Sequence, residues 1–159
     1  MASLRRSLVL LFATLAMLGA SLVAAQPTQE QLLVGKWRHV SSGHTIDGKQ
    51  SSIKPSETHA IGEFTADKKW SLVSAKNRSS GTYRWLDGER IEQTVIESGF
   101  PGQVGMVSVK RVRATADRLE FITSHTREEL ERAMPTVKPG ERRPSEMVIT
   151  TVFSRVVKE

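Results

Sequence analysis

The chain contains no cysteine, which excludes several kinds of protein at once. Disulfide staples and thiolate metal sites are out of reach. So is bacterial-type lipid anchoring, which acylates a cysteine at the cleavage site. His39, His44, His59 and His125 provide no His-x-x-x-His pair with an acidic neighbour, so the usual metal-ligand spacing is missing. There is no Gly-x-Ser-x-Gly elbow. Ser41-Ser42-Gly43-His44 lies at a strand-to-turn junction rather than the strand-to-helix bend a nucleophile needs. The expectation is therefore no catalytic residues, no metal, no cofactor and no enzymatic activity. Past the N-terminus, no stretch is apolar enough to cross a bilayer.

The charge is modest. Lys and Arg number 23 against 17 Asp and Glu. The densest basic clusters, Lys110-Arg111-Val112-Arg113 and Arg142-Arg143, lack interleaved aromatics, so nucleic acid is not an expected partner. They read as solvated surface. The first 25 residues show the order of a secretory signal. Arg5 and Arg6 form the basic region, Leu8–Leu18 the apolar core, and Val23-Ala24-Ala25 a small-residue cleavage site before Gln26. The apolar run is shorter than the ~20 residues that span a bilayer. Residues 1–25 are thus expected to be a cleaved signal peptide that leaves no membrane anchor and directs the protein to the periplasm or the medium. Removing Arg5 and Arg6 leaves 21 basic residues against 17 acidic, a formal +4. Residues 26–159 are of single-domain size.

In that domain, 26–34 reads as a short helical turn capped by Thr28 and ended by Gly35. Eight runs rich in Val, Ile, Thr, Tyr and Trp follow, at 36–46, 57–64, 69–76, 81–86, 90–97, 106–114, 118–124 and 147–157. Asp47-Gly48, Thr65-Ala66-Asp67, Asn77–Ser80, Asp87-Gly88, Gly99–Gly102 and Thr115-Ala116-Asp117 connect most of them with turn chemistry. Links this short force antiparallel neighbours, and closure removes the two bare edges of a long meander. The expected fold is all-β: one antiparallel up-and-down barrel of about eight strands, with the 147–157 strand closing on 36–46. A helix from His125 to Met134, capped by Thr126 and stopped by Pro135, precedes the last strand with a charged loop after it. Its Glu128, Glu129 and Glu131 read as surface ion-pair partners of Arg127 and Arg132.

Two strand details are specific. A three-residue loop at Asp87-Gly88, with Gly88 at positive φ, places Tyr83 and Trp85 on the face of Ile91, Gln93 and Val95 and sets Arg84 against Glu92. In 106–114, Val107 and Val109 have the opposite parity to Val112, which predicts a bulge near Lys110-Arg111. His39 shares parity with Trp37 and is expected inside as a hydrogen-bonded core residue.

Leu32-Leu33-Val34-Gly35-Lys36-Trp37-Arg38 resembles the opening of small bacterial lipocalin-like domains, a calycin-type barrel family. The resemblance implies an eight- to ten-stranded antiparallel barrel whose Gly-x-Trp tryptophan seals one end. It also implies that Arg155, near the end of the last strand, packs over Trp37. Gly35, Trp37 and Arg155 are the structural residues so implied. The function it implies is binding of a small apolar or amphipathic molecule. The inward aromatics either fill the interior as core, the default in a small barrel, or line a cavity for one small ligand; in the second case Trp70, Tyr83, Trp85, Ile91, Gln93, Val95 and Phe121 are the expected lining, with Tyr83 and Gln93 as polar anchors. The site is expected to open away from Gly35 and to respond little to salt. The alternative is a non-enzymatic protein-interaction barrel, an inhibitor or envelope accessory factor, working through residues 125–146.

Overall fold

The computed structural model describes residues 26–51, 53–133, 142 and 144–157. The expected signal peptide at 1–25 lies outside them, as do Pro135 and most of the loop that follows the second helix.

Helix α1 (Gln29–Leu33) starts with a reciprocal cap. Thr28 Oγ1 accepts from the Gln31 N–H, and Gln31 Oε1 accepts from the Thr28 N–H. Strand β1 (Gly35–Ile46) follows, with two two-residue strands, β2 (Lys49–Gln50) and β3 (Lys54–Pro55), folded back along it. The meander continues through β4 (Ile61–Phe64), β5 (Lys69–Val73), β6 (Arg78–Trp85), β7 (Arg90–Ser98), β8 (Val107–Ala114) and β9 (Arg118–Thr126). Helix α2 (Arg127–Ala133) then leads towards β10 (Glu146–Arg155). Every paired neighbour is antiparallel, and β10 pairs with β1 from Met147↔Ile46 to Arg155↔Trp37, closing the barrel. Its eight long strands form the expected meander. No helix among the described residues is long and apolar enough to cross a membrane.

The 85–91 hairpin has the expected register. Arg84 lies opposite Glu92, and the Leu86 N–H donates to Arg90 O across a loop of Asp87, Gly88 and Glu89. Gly88, however, does not adopt positive φ. Asp87 makes the turn instead: its Oδ1 accepts from the Glu89 and Arg90 N–H groups at 2.8 and 2.7 Å, an Asx-type closure.

The bulge expected at Lys110-Arg111 is absent. Strand β8 keeps continuous register with β7 and β9. Val112 and Ala114 face the core while Val107 and Val109 stand outside, 57% and 44% exposed. Ser108 and Lys110 share the parity of Val112 and therefore point inward. The reading of Lys110 as surface charge is corrected by the same register. Irregularities occur instead between His39 and Ser41 and between Ser80 and Gly81. The second requires glycine: a Cβ on Gly81 would lie 1.9 Å from Thr94 O.

A plug closes the end at which β1 begins. Trp37 is fully buried, and its Nε1–H donates to Leu33 O at 2.8 Å. The Arg155 guanidinium lies 4.1 Å from the indole centroid. It donates through Nη1 to Val34 O at 3.1 Å, through Nη2 to Leu32 O at 2.6 Å, and through Nε to Ala116 O. Gly35 has φ +137°, and a Cβ there would meet Arg155 Nη1 at 2.5 Å. The guanidinium can cover Trp37 only because residue 35 has no side chain. Gln29 ties α1 to the barrel wall, accepting from the Ala114 N–H at 2.7 Å and donating to Ala114 O at 3.0 Å.

Candidate functional site

Strand direction determines what each inward side chain can do. In an antiparallel meander, the plug end holds the start of β1, β5, β7 and β9 and the end of β4, β6, β8 and β10. Tyr83, Trp85 and Ile91 belong to that end. Ile91 is fully buried core. Tyr83 is 3% exposed, and its hydroxyl donates to Thr65 O at 2.8 Å. Burial, helped by Glu30 and Asp67, raises its pKa above 10.0. Trp85 packs against the core from a half-buried position, and its Nε1 has no hydrogen-bond partner among the described residues. Val95 also packs against the core and pairs with Gly81. These four residues pack with the core and are not in the wall of the interior cavity.

Trp70, Gln93 and Phe121 do line it. The cavity measures about 210 Å³. Its apolar wall includes Phe64, Trp70, Leu72, Phe121 and Phe153, and its polar positions include Gln93, Lys110, Thr123 and Thr151. On three strands its lining lies one inward residue beyond the plug, Phe121 after Leu119 on β9, Phe153 before Arg155 on β10 and Lys110 before Val112 on β8, while on β4 it reaches the level of the plug, with Gly62 opposite Trp37 and Phe64 opposite Gly35. Larger depressions lie beside Gln29, Ala114 and Arg118, about 440 Å³, and beside Glu63 and Thr82, about 430 Å³.

An aromatic floor separates cavity from plug. The Phe121 ring centroid is 5.4 Å from Phe64 and 5.8 Å from Phe153, the spacing favoured by edge and offset contacts. Trp70 is fixed by its own N–H, which points to Thr82 O and Thr94 O at 3.1 and 3.3 Å. His39 lies against Phe153 at 5.3 Å and is bridged by the hydroxyls of Ser42 and Ser56, each at 2.8 Å. Burial lowers its pKa below 6.5, opposed by the Ser41 backbone. It is hydrogen-bonded on both ring nitrogens and partly buried at the edge of the core.

Two polar groups of this cavity have no partner among the described residues. Gln93 is 4% exposed, and its side-chain amide makes no hydrogen bond. The Lys110 ammonium forms no ion pair or hydrogen bond and lies 5.5 Å from the Phe121 ring centroid. Desolvation by the barrel wall pulls its pKa from 10.5 to about 8. Sequence parity pointed to the Gln93 position but not to Lys110, which was grouped with the solvated basic cluster at a strand position expected to bulge. Counting back from Val112 and Ala114 would have placed Lys110 inside.

The 125–146 segment is only partly described. Helix α2 has its expected cap: the Thr126 N–H donates to Glu129 Oε2 at 2.8 Å and Thr126 Oγ1 accepts from the Glu129 N–H at 3.4 Å. Arg127 pairs with Glu131 at 3.0 Å. Ahead of β10, Asp47 Oδ1 accepts from Ser145 Oγ and from the Ser145 and Glu146 N–H groups, which lowers the Asp47 pKa.

No protein-family profile matches the sequence, and no curated protein matches it. No group of three or more His, Cys, Asp or Glu side chains among the described residues is placed to hold a metal ion.

Proposed function

We propose that this chain is an exported, non-enzymatic lipocalin-like barrel, resident in the periplasm or the medium, that binds a small amphipathic molecule in its lumen. The observation that carries the reading is the interior cavity, with an aromatic floor and unpartnered Gln93 and Lys110 in its wall. The plug supports the lipocalin-like assignment, since Arg155 over Trp37 beneath a required glycine reproduces the arrangement the resemblance implies. The cavity limits ligand size. An apolar cavity of about 150 Å³ accommodates benzene, so about 210 Å³ suits a single substituted ring or a short acyl chain.

Tryptophan emission provides the test, because Trp70, one of the three tryptophans, lines the cavity. A single-ring alcohol such as benzyl alcohol should alter that emission saturably. Gly62 also lines the cavity, and a Cβ there meets only ordinary contacts, at 3.7 Å or more. Gly62→Leu should therefore fill the lumen and abolish the response while the circular dichroism spectrum is unchanged. A folded wild type that shows no saturable response, or a response unaffected by Gly62→Leu, rejects lumen binding.

A further inference from the structure

Lys110 is unexplained by the fold. An inward lysine in a small barrel ordinarily meets a carboxylate, because burying an unpaired ammonium is costly. Here none faces it. The flanking strands carry Glu92 on β7 and Glu120 on β9, both of outward parity, and these are engaged by Arg84 at 2.8 Å and Arg118 at 2.7 Å. Arg90 on β7 and Arg111 and Arg113 on β8 itself also have outward parity. Across the lumen, the ionisable groups of inward parity are His39 and His44 on β1, His125 on β9, and Tyr83 and Arg155 at the plug, with Lys49 on β2 and Lys54 on β3 opposite the inward Ile46 and Ser42. None of these lines the cavity, and none supplies a negative charge at neutral pH. The ammonium lies over the face of Phe121, and the cavity wall it shares includes the unpartnered amide of Gln93 and the hydroxyls of Thr123 and Thr151.

We propose that Lys110 is the anchor for an anionic ligand, and that the lumen takes a small monocarboxylate whose apolar body is about the size of one aromatic ring. This rests on the lumen-binding reading above and adds the ligand's charge to it. The carboxylate replaces the missing counter-ion at Lys110, with Gln93 and the threonine hydroxyls as hydrogen-bond donors, and the ring stacks on the floor of Phe64, Phe121 and Phe153. A charge pair enclosed in this way is weakly screened, so added salt changes the affinity little. Deprotonating Lys110 removes the anchor, so affinity for the anion falls as pH rises from 7 to 10.

Benzoate and benzyl alcohol separate the two readings, being close in size and differing in charge. With the intact purified protein at pH 7, titrations followed by tryptophan emission should show benzoate binding at least ten-fold tighter than benzyl alcohol. The preference should shrink towards unity at pH 10. Lys110→Met should lose the benzoate preference and retain benzyl alcohol binding, which also reports that the lumen is still formed. Lys110→Gln, which keeps a polar side chain, should behave alike. Equal affinities in the wild type, or a benzoate preference that survives both substitutions, overturn the anion anchor and leave lumen binding standing. Failure of both ligands to bind the folded wild type overturns the lumen reading with it.

Discussion

Replacing Lys110 with methionine should make the protein more stable at neutral pH, and the size of the gain can be worked from the site. The Lys110 pKa falls from 10.5 to about 8 through desolvation, which corresponds to ~3 kcal/mol at about 1.4 kcal/mol per pKa unit. Water reaching the ammonium through the cavity reduces this, and ~1–3 kcal/mol is the expected gain at pH 7. A lysine whose folded pKa lies below its unfolded value holds its proton less tightly when folded. Between pH 8 and 10.5 the unfolded chain therefore binds more protons, and wild-type stability rises with pH across that window. Below pH 8 the penalty is present in full. Above 10.5 it is gone. Lys110→Met removes the penalty at every pH, so its advantage should be greatest at pH 7 and close to zero at pH 10.5. Urea unfolding of both proteins at pH 7, 9 and 10.5 measures this. The raised pKa values of Lys69 and Tyr83 affect the same range, but they are common to both proteins and cancel in the difference. A variant less stable than wild type at pH 7, or a difference that does not change with pH, refutes the placement of an unpaired ammonium in the lumen.

Trp37→Ala should cost about 3–5 kcal/mol in urea unfolding, as truncation of a fully buried large aromatic does, and an exposed, tolerant Trp37 would contradict the plug. A double-mutant cycle between Trp37 and Arg155 should return a coupling of ~0.5–2 kcal/mol from the guanidinium–indole contact; zero coupling would reduce the arginine to a carbonyl clasp. Gly81→Ala should lose at least ~2 kcal/mol, since its Cβ would meet a backbone oxygen at 1.9 Å, and wild-type stability in that variant would disprove the β6–β7 irregularity.

What the sequence disclosed was set by local chemistry. Thr28 with Gln31 and Thr126 with Glu129 are short-range caps, readable from spacing alone. The 85–91 hairpin was readable because only one register placed Tyr83, Trp85, Ile91 and Gln93 together, although Asp87 rather than Gly88 turned out to make the turn. The Trp37–Arg155 contact joins the two ends of the domain and came from the resemblance. The lining of the cavity was harder to read because it depends on depth as well as facing. Tyr83 and Ile91 face inward as expected but sit beside the hairpin at the plug end, where they are packed as core. The signal was present: counting strand directions from Gly35 brings the end of β6 and the start of β7 to the closed end. On β8, the high β-propensity of Val107 and Val109 suggested a buried face, whereas the other parity is the one that joins Val112 and Ala114 to the core.

The register of β8 has a folding explanation, but its lysine does not. A one-residue slip would turn every side chain over. It would bury Val107 and Val109, worth ~1.5–3 kcal/mol each at full burial, and would release Lys110 to solvent. It would also expose Val112 and Ala114 and drive Arg111 and Arg113 inside, two arginines in place of one lysine, against a desolvation cost of several kcal/mol each. Gln29 holds the chosen register at the plug by bonding both backbone groups of Ala114. Folding therefore favours the observed register over the slipped one. Within it, an apolar residue at position 110 would complete the face that Val112 and Ala114 begin and would leave the paired strands untouched. A cation at that position adds nothing to the barrel that a hydrophobe would not add more cheaply. On the proposal above, what offsets it is the negative charge of a ligand that enters the lumen.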